Sequence, residues 1–206
     1  MPVAIHCLVY KEFDFARRLV PQDFSGFIVD AGAYIGISSL VFARYFPRAT
    51  VLAIEPSSEN FALLQKNVAQ QPNVRALHAA LLPQASPRVG LYDINVGEWG
   101  YTTTESGPSS ELTRVMEFAP GLALRDLGIP LNEIGLLKLD IEGGEAALFE
   151  DDAQSLDSIP VVVCELHESI VPGCLRLFQE FSAERRIVKD KWEKIYSIAE
   201  ATKTCT

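Results

Sequence analysis

The chain is short of the residues that staple or metallate small domains. Its four cysteines, Cys7, Cys164, Cys174 and Cys205, lie far apart with no C-x-x-C pair, so neither a zinc site nor a dithiol redox motif is spelled. Cys164, inside "VVVCEL", reads as a small buried apolar residue. Long apolar runs are missing too, and nothing approaches the roughly 20 residues a membrane span needs. The opening "MPVAIHCLVYKEF" has no basic start and no small-residue cleavage site, which argues against a secretory signal. Positive charge is scarce: 18 Lys and Arg against 27 Asp and Glu give a net charge of −9. The basic residues form no track for phosphates. The expectation is therefore a cytoplasmic protein with no nucleic-acid partner and no membrane partner.

What remains is a chain of 206 residues with 48% apolar content, enough for one domain over residues 1–206 with a substantial core. Residues 1–25 form a lead-in, in which 11–20 could make a short helix. "FIVDA" (27–31), "TVLAIE" (50–55), "NVRALHAAL" (73–81), "IGLLKLD" (134–140) and "IPVVVCELH" (159–167) are compact apolar runs typical of buried parallel strands. Between them, helical spacing recurs. Ile37, Leu40, Val41 and Tyr45 mark one helix face before Pro47, and Phe61, Leu64 and Val68 mark another after a Pro56-Ser57-Ser58 turn and cap. Cys174, Leu177, Phe178 and Phe181 mark a third. This alternation predicts an α/β fold with a parallel sheet covered on both faces. The rhythm fails over 83–132, where "RVGLYDIN" and "TRVMEFA" read as inserted strands around a polar loop. "RRIVKD" and "EKIYSIA" are joined by Lys191-Trp192, too short for a parallel crossover, so one edge of the sheet is antiparallel.

Ligands of open parallel sheets bind beyond the carboxyl ends of the strands. The loop Asp30-Ala31-Gly32-Ala33-Tyr34-Ile35-Gly36 falls there. Gly32 allows a tight turn, Gly36 a close approach to the next helix. The loop lacks the middle glycine of G-x-G-x-x-G that brings a pyrophosphate close. Asp30 would repel a diphosphate and suits a cationic amino-acid group. Glu55, ending the second strand, can accept both hydroxyls of a ribose, with Pro56 beside it. A nucleoside bearing a cationic amino-acid tail is S-adenosylmethionine. His78 and Ala80, at the end of the third strand, are candidates to approach the adenine.

The blocks "VDAGAYIGISSL", "IEPSSENFALLQKN", "LLKLDIEGGE" and "VVVCELH", in that order, resemble the FkbM-type methyltransferases of the class I S-adenosylmethionine-dependent fold, over roughly residues 25–170. The resemblance implies a Rossmann-like sheet of seven strands with the last antiparallel, and O-methylation of a small molecule such as a sugar or a secondary-metabolite intermediate. It also sets Asp140 near the transferred methyl. The family loop usually has Asn where this chain has Tyr34.

A hydroxyl acceptor must lose a proton, and bases should stand at the strand ends. Alternation puts Lys138, Asp140 and Glu142 on one face, and Glu165 with His167 on another. Asp140 leads the candidates. His167 follows as a base with an ordinary pKa near ~6.5, then Glu142 and Glu165, with Lys138 neutralising the two glutamates. These four groups could also collect magnesium or manganese, although no metal is expected. Glu145 reads as a first-turn helix acid. Trp99 and Tyr101 are candidates for stacking on the acceptor. An NAD-linked oxidoreductase and a non-catalytic binding module are the rivals. A second subunit completing the acceptor pocket is a further expectation.

Overall fold

The computed structural model describes residues 13–93, 101–103, 115–189 and 194–200. Seven strands form the main sheet: β1 (Phe27–Ala31), β2 (Thr50–Glu55), β3 (Val74–His78), β8 (Ile134–Leu139), β9 (Val161–Cys164), β10 (Arg185–Lys189) and β11 (Ile195–Ala199). Their order is β10-β11-β9-β8-β1-β2-β3. The strands from β9 to β3 are parallel, and β11 alone runs against its neighbours β9 and β10. The hairpin is as expected, but its antiparallel member lies one strand in from the edge. Tyr196 and Ser197 of β11 are fully buried, while Arg186 and Ile187 of β10 are exposed.

Side-chain alternation on this sheet makes two cores. Ile28, Val51, Leu136 and Val163 meet α1 (Ala16–Leu19) and α2 (Ile37–Tyr45) on one face. Val29, Leu52, Leu137 and Val162 meet α4 (Glu145–Asp151), α5 (Ala153–Asp157) and α6 (Cys174–Phe181) on the other. A smaller cluster of Ala33, Ala53, Leu64 and Val68 seats α3 (Ser58–Val68). Ser57 caps α3, its hydroxyl 3.5 Å from the amide of Asn60. Helix α2 departs from the expected single apolar face. Ser38 and Ser39 are buried, because both hydroxyls donate to Asp30 at 2.6 Å.

"NVRALHAAL" does not run as one strand. It breaks at Ala79, and β4 (Ala80–Leu81) joins a second sheet in the order β4-β7-β5-β6 with β5 (Ser86–Asp93), β6 (Tyr101–Thr102) and β7 (Val115–Leu122). The expected inserted strands β5 and β7 pair antiparallel. Glu117 of β7 fastens this sheet to the start of α3, accepting from the Ser58 amide at 2.8 Å and its hydroxyl at 2.9 Å. Tyr101 of β6 shares a cavity with residues at the carboxyl ends of β1 and β2. Among the described residues, no helix is long and apolar enough to cross a membrane.

Candidate functional site

A cavity enclosing about 520 Å³ of space continuous with solvent opens at the carboxyl ends of β1, β2 and β8, lined by Gly32, Tyr34, Glu55, Pro56, Asn60, Ala80, Leu81, Tyr101, Thr103, Asp140, Ile141 and Glu142. Gly32 takes φ +72, and a Cβ there would lie 1.8 Å from the Asp140 carbonyl oxygen. The loops after β1 and β8 therefore touch backbone to backbone.

At one end sits Glu55, 5% exposed. Its Oε2 accepts from the Tyr34 amide at 2.9 Å, and its Oε1 from the Ser57 amide at 3.1 Å and the Asn60 amide group at 3.4 Å. Tyr34 presents that amide by taking φ 50, a left-handed conformation that L residues disfavour. A carboxylate has about four acceptor sites, so one site on Oε2 remains for a ligand. Accepting both ribose hydroxyls, as the sequence suggested, requires the long Asn60 contact to yield. Burial pushes the Glu55 carboxyl up to about 7, against the hydrogen bonds from Ser57, Tyr34 and Asn60.

The other end is dense in charge. Asp140 is a quarter exposed and stands 3.6 Å from Lys138 and 3.4 Å from Lys194. Burial opposes its ionisation, but Lys194 and Lys138, joined by His167, hold its carboxyl well below the usual range. Glu142 takes φ 52, and its Oε2 lies 3.3 Å from Nε2 of His167. Burial, reinforced by the charges of Asp140, Glu145 and Glu165 and opposed by His167, pushes the Glu142 carboxyl up to about 7. His167 donates from Nδ1 to Glu145 at 3.0 Å. Burial works against its charge, yet Glu145, then Glu142 and Asp140, push the imidazole up to about 9.

Several sequence expectations change here. Asp30 does not reach the cavity. It is 0% exposed, and besides the two serines it pairs with Lys138 at 3.1 Å. The two are register partners across β1 and β8. Lys138 thus neutralises Asp30 and Asp140 rather than Glu142 and Glu165. Burial works against the lysine's charge, but those two aspartates raise its pKa. Ala33 faces the core with Leu64 and Val68. A Cβ at Gly36 would lie 2.5 Å from Leu64 Cδ1, so the close approach this glycine permits is that of α3. His78 stacks on Phe61 with ring centres 4.9 Å apart and donates from Nε2 to the Pro56 carbonyl at 2.9 Å, away from the cavity lining. Glu165 is tied to Lys194 and lies off the lining. His167, its imidazole pushed up despite burial to about 9 by Glu145, Glu142 and Asp140, favours the charged form at neutral pH and is poorly suited to act as a free base.

Glu55, Pro56, Ala80, Tyr101, Asp140 and Glu142 do line the cavity, as do Gly32 and Tyr34; Trp99 lies outside the described residues. Ligand atoms of Asp140, Glu142 and His167 come within 4.8 Å of one another, a spacing suited to a divalent ion, whereas Glu165 is held apart by its lysine. Sequence reasoning missed Lys194. The register Ile195↔Cys164 sets it opposite Glu165, and its only advance signal was a lysine opening the last strand.

Known proteins resemble this chain in sequence and in fold. Residues 30–190 match the family model described as the methyltransferase FkbM domain. The chain is 28% identical over 183 residues to "Methyltransferase 1" of Beauveria bassiana, covering 78% of this chain and 73% of that one. It is 30% identical over 195 residues to "Methyltransferase sdnD" of Sordaria araneosa, with coverages of 78% and 74%. Among solved structures, the methyltransferase FkbM of Methylobacillus flagellatus superposes with a TM-score of 0.63 at 16% identity over 92% of this chain, which spans about half, 47%, of that protein. A SAM-dependent methyltransferase of Aquifex aeolicus gives 0.51 at 11% identity, covering 97% of this chain and 94% of that one.

Proposed function

The chain belongs to the FkbM methyltransferase domain family and has the class I methyltransferase fold, and on that premise we propose that it transfers a methyl group from S-adenosylmethionine to a hydroxyl of a small molecule. The observation that carries this reading is the pairing of two unlike carboxylate ends in one cavity. Glu55 keeps a free acceptor site for a ribose hydroxyl, and Gly32, Tyr34, Pro56 and Ala80 would surround the rest of the nucleoside. The donor set fits a nucleoside without phosphates, since the cavity is lined by acidic rather than basic side chains. When bound, S-adenosylmethionine supplies an electrophilic methyl on a sulfonium. Asp140, ionised beside two lysines, offers a negative charge to a cationic ligand. Glu142, titrating near neutrality, is the group suited to take the acceptor's proton as the new oxygen–carbon bond forms and the carbon–sulfur pair stays on sulfur. Tyr101 and Thr103, which line the same cavity, would contact the acceptor.

Much of the acceleration in such a displacement comes from holding the reactants in line. The test is calorimetric titration of the protein with S-adenosylhomocysteine, with NAD in a parallel cell, followed by a screen of hydroxyl compounds for release of S-adenosylhomocysteine. Micromolar binding of the first ligand alone, with turnover on a hydroxyl acceptor, is the expected result. Binding of NAD instead would point to the oxidoreductase rival. Cofactor binding without turnover on any acceptor would favour a non-catalytic module.

A further inference from the structure

The groups at the reaction end are fastened by a residue that does not line the cavity. Glu145 is 0% exposed. Its Oε1 accepts from the Ile141 amide at 2.8 Å and from Nδ1 of His167 at 3.0 Å, and its Oε2 accepts from the Gly143 amide at 2.8 Å. One carboxylate thus grips the chain on both sides of Glu142 and also the imidazole that faces it. Three donors converge on it from two separate connections, the one after β8 and the one after β9. An acid serving only the dipole of α4 would need none of these and could sit in solvent. The remaining titratable groups that act on it or feel its charge are Glu142 and the buried thiols of Cys164 and Cys174.

We propose that Glu145 is a positioning residue, whose carboxylate assembles the Glu142 turn and the His167 imidazole into one unit facing the acceptor. This rests on the reading that Glu142 receives the acceptor's proton. The Glu145 bond commits Nδ1 of His167 as a donor and turns Nε2 toward Glu142, while the two amide bonds keep Glu142 in a backbone conformation that L residues otherwise avoid. Loss of the carboxylate frees the imidazole and the turn together.

The experiment is nuclear magnetic resonance of the protein labelled at its histidine nitrogens, with S-adenosylhomocysteine bound. A hydrogen-bonded Nδ1–H signal that disappears in His167→Gln identifies the imidazole. That signal should persist in Glu142→Gln and vanish in Glu145→Gln. With the acceptor found by the screen, Glu145→Gln should lower kcat by about 100-fold at nearly constant KM. A signal retained in folded Glu145→Gln, or lost in Glu142→Gln, overturns the proposal. If Glu145→Gln does not fold, the Glu142→Gln spectrum decides alone, persistence supporting the proposal and loss overturning it. Failure of the wild-type protein to bind S-adenosylhomocysteine indicts the methyltransferase reading instead. The same spectra recorded without ligand still test Glu145.

Discussion

Two carboxylates close the opposite ends of one cavity, and although burial disfavours the charge of both, their carboxyls shift in opposite directions. Glu55 ends β2 among backbone amides and one side-chain amide, with no cation in contact, and its carboxyl rises to about 7. Asp140 follows β8 between Lys138 and Lys194, and its carboxyl falls well below the ordinary range. Desolvation disfavours both charges; neighbouring ammonium groups decide the outcome. The contrast separates a holding end, where a ligand's donors can complete an underpaired acid, from a reacting end whose negative charge is fixed in advance.

The largest expected effect tests whether the lysines hold the reacting end together. Lys138→Met leaves Asp30 buried and uncompensated, which should cost about 3–5 kcal/mol in urea unfolding. Lys194→Met should cost less, because its partners Asp140 and Glu165 keep 26% and 46% exposure. Equal losses would break the comparison.

Next comes His167. Its pKa rises on folding from 6.5 to about 9, so its contribution to stability is complete below pH 6.5 and is lost as the pH climbs through about 9. Stability should therefore fall by up to about 3 kcal/mol across that window. In His167→Gln this slope should be absent; a slope unchanged by the substitution would place its origin elsewhere.

Glu55→Ala should weaken S-adenosylhomocysteine binding by about 1.5–3 kcal/mol, the worth of one hydrogen bond to a charged group. Unaltered affinity in calorimetry would remove Glu55 from the holding end. The smallest effect is on pH. A hydroxyl donor favours the ionised acid, and Glu55 in the free protein is half protonated near 7. Affinity should then rise about tenfold from pH 6 to pH 8 and level off above. A flat profile would mean that the acid binds equally well in its neutral form.

Much of this architecture was legible because apolar runs between turn residues leave little choice. "TVLAIE" is β2 to the residue, and the length of the last linker dictated an antiparallel hairpin. Which hairpin member would sit inside was also written in the chain, since "IYSIA" is more apolar than "RRIVK". The site was harder to read, because its charges are settled by register rather than by local sequence. Asp30 looks like a ligand-facing acid until Lys138 is found across the β1–β8 pair, the only charge within "LLKL". Ser38 and Ser39 look solvent-facing until Asp30 claims their hydroxyls. His167 looks like a free base because nothing local reveals Glu145, 22 residues earlier.

Gly32 has an implication for anyone sorting descendants of this chain by function. Its glycine is demanded by the Asp140 carbonyl pressed against it, a requirement of the scaffold that would outlive the loss of any ligand. A copy that had drifted into inactivity would therefore still display that glycine, and a diagnostic built on it would count the dead with the living.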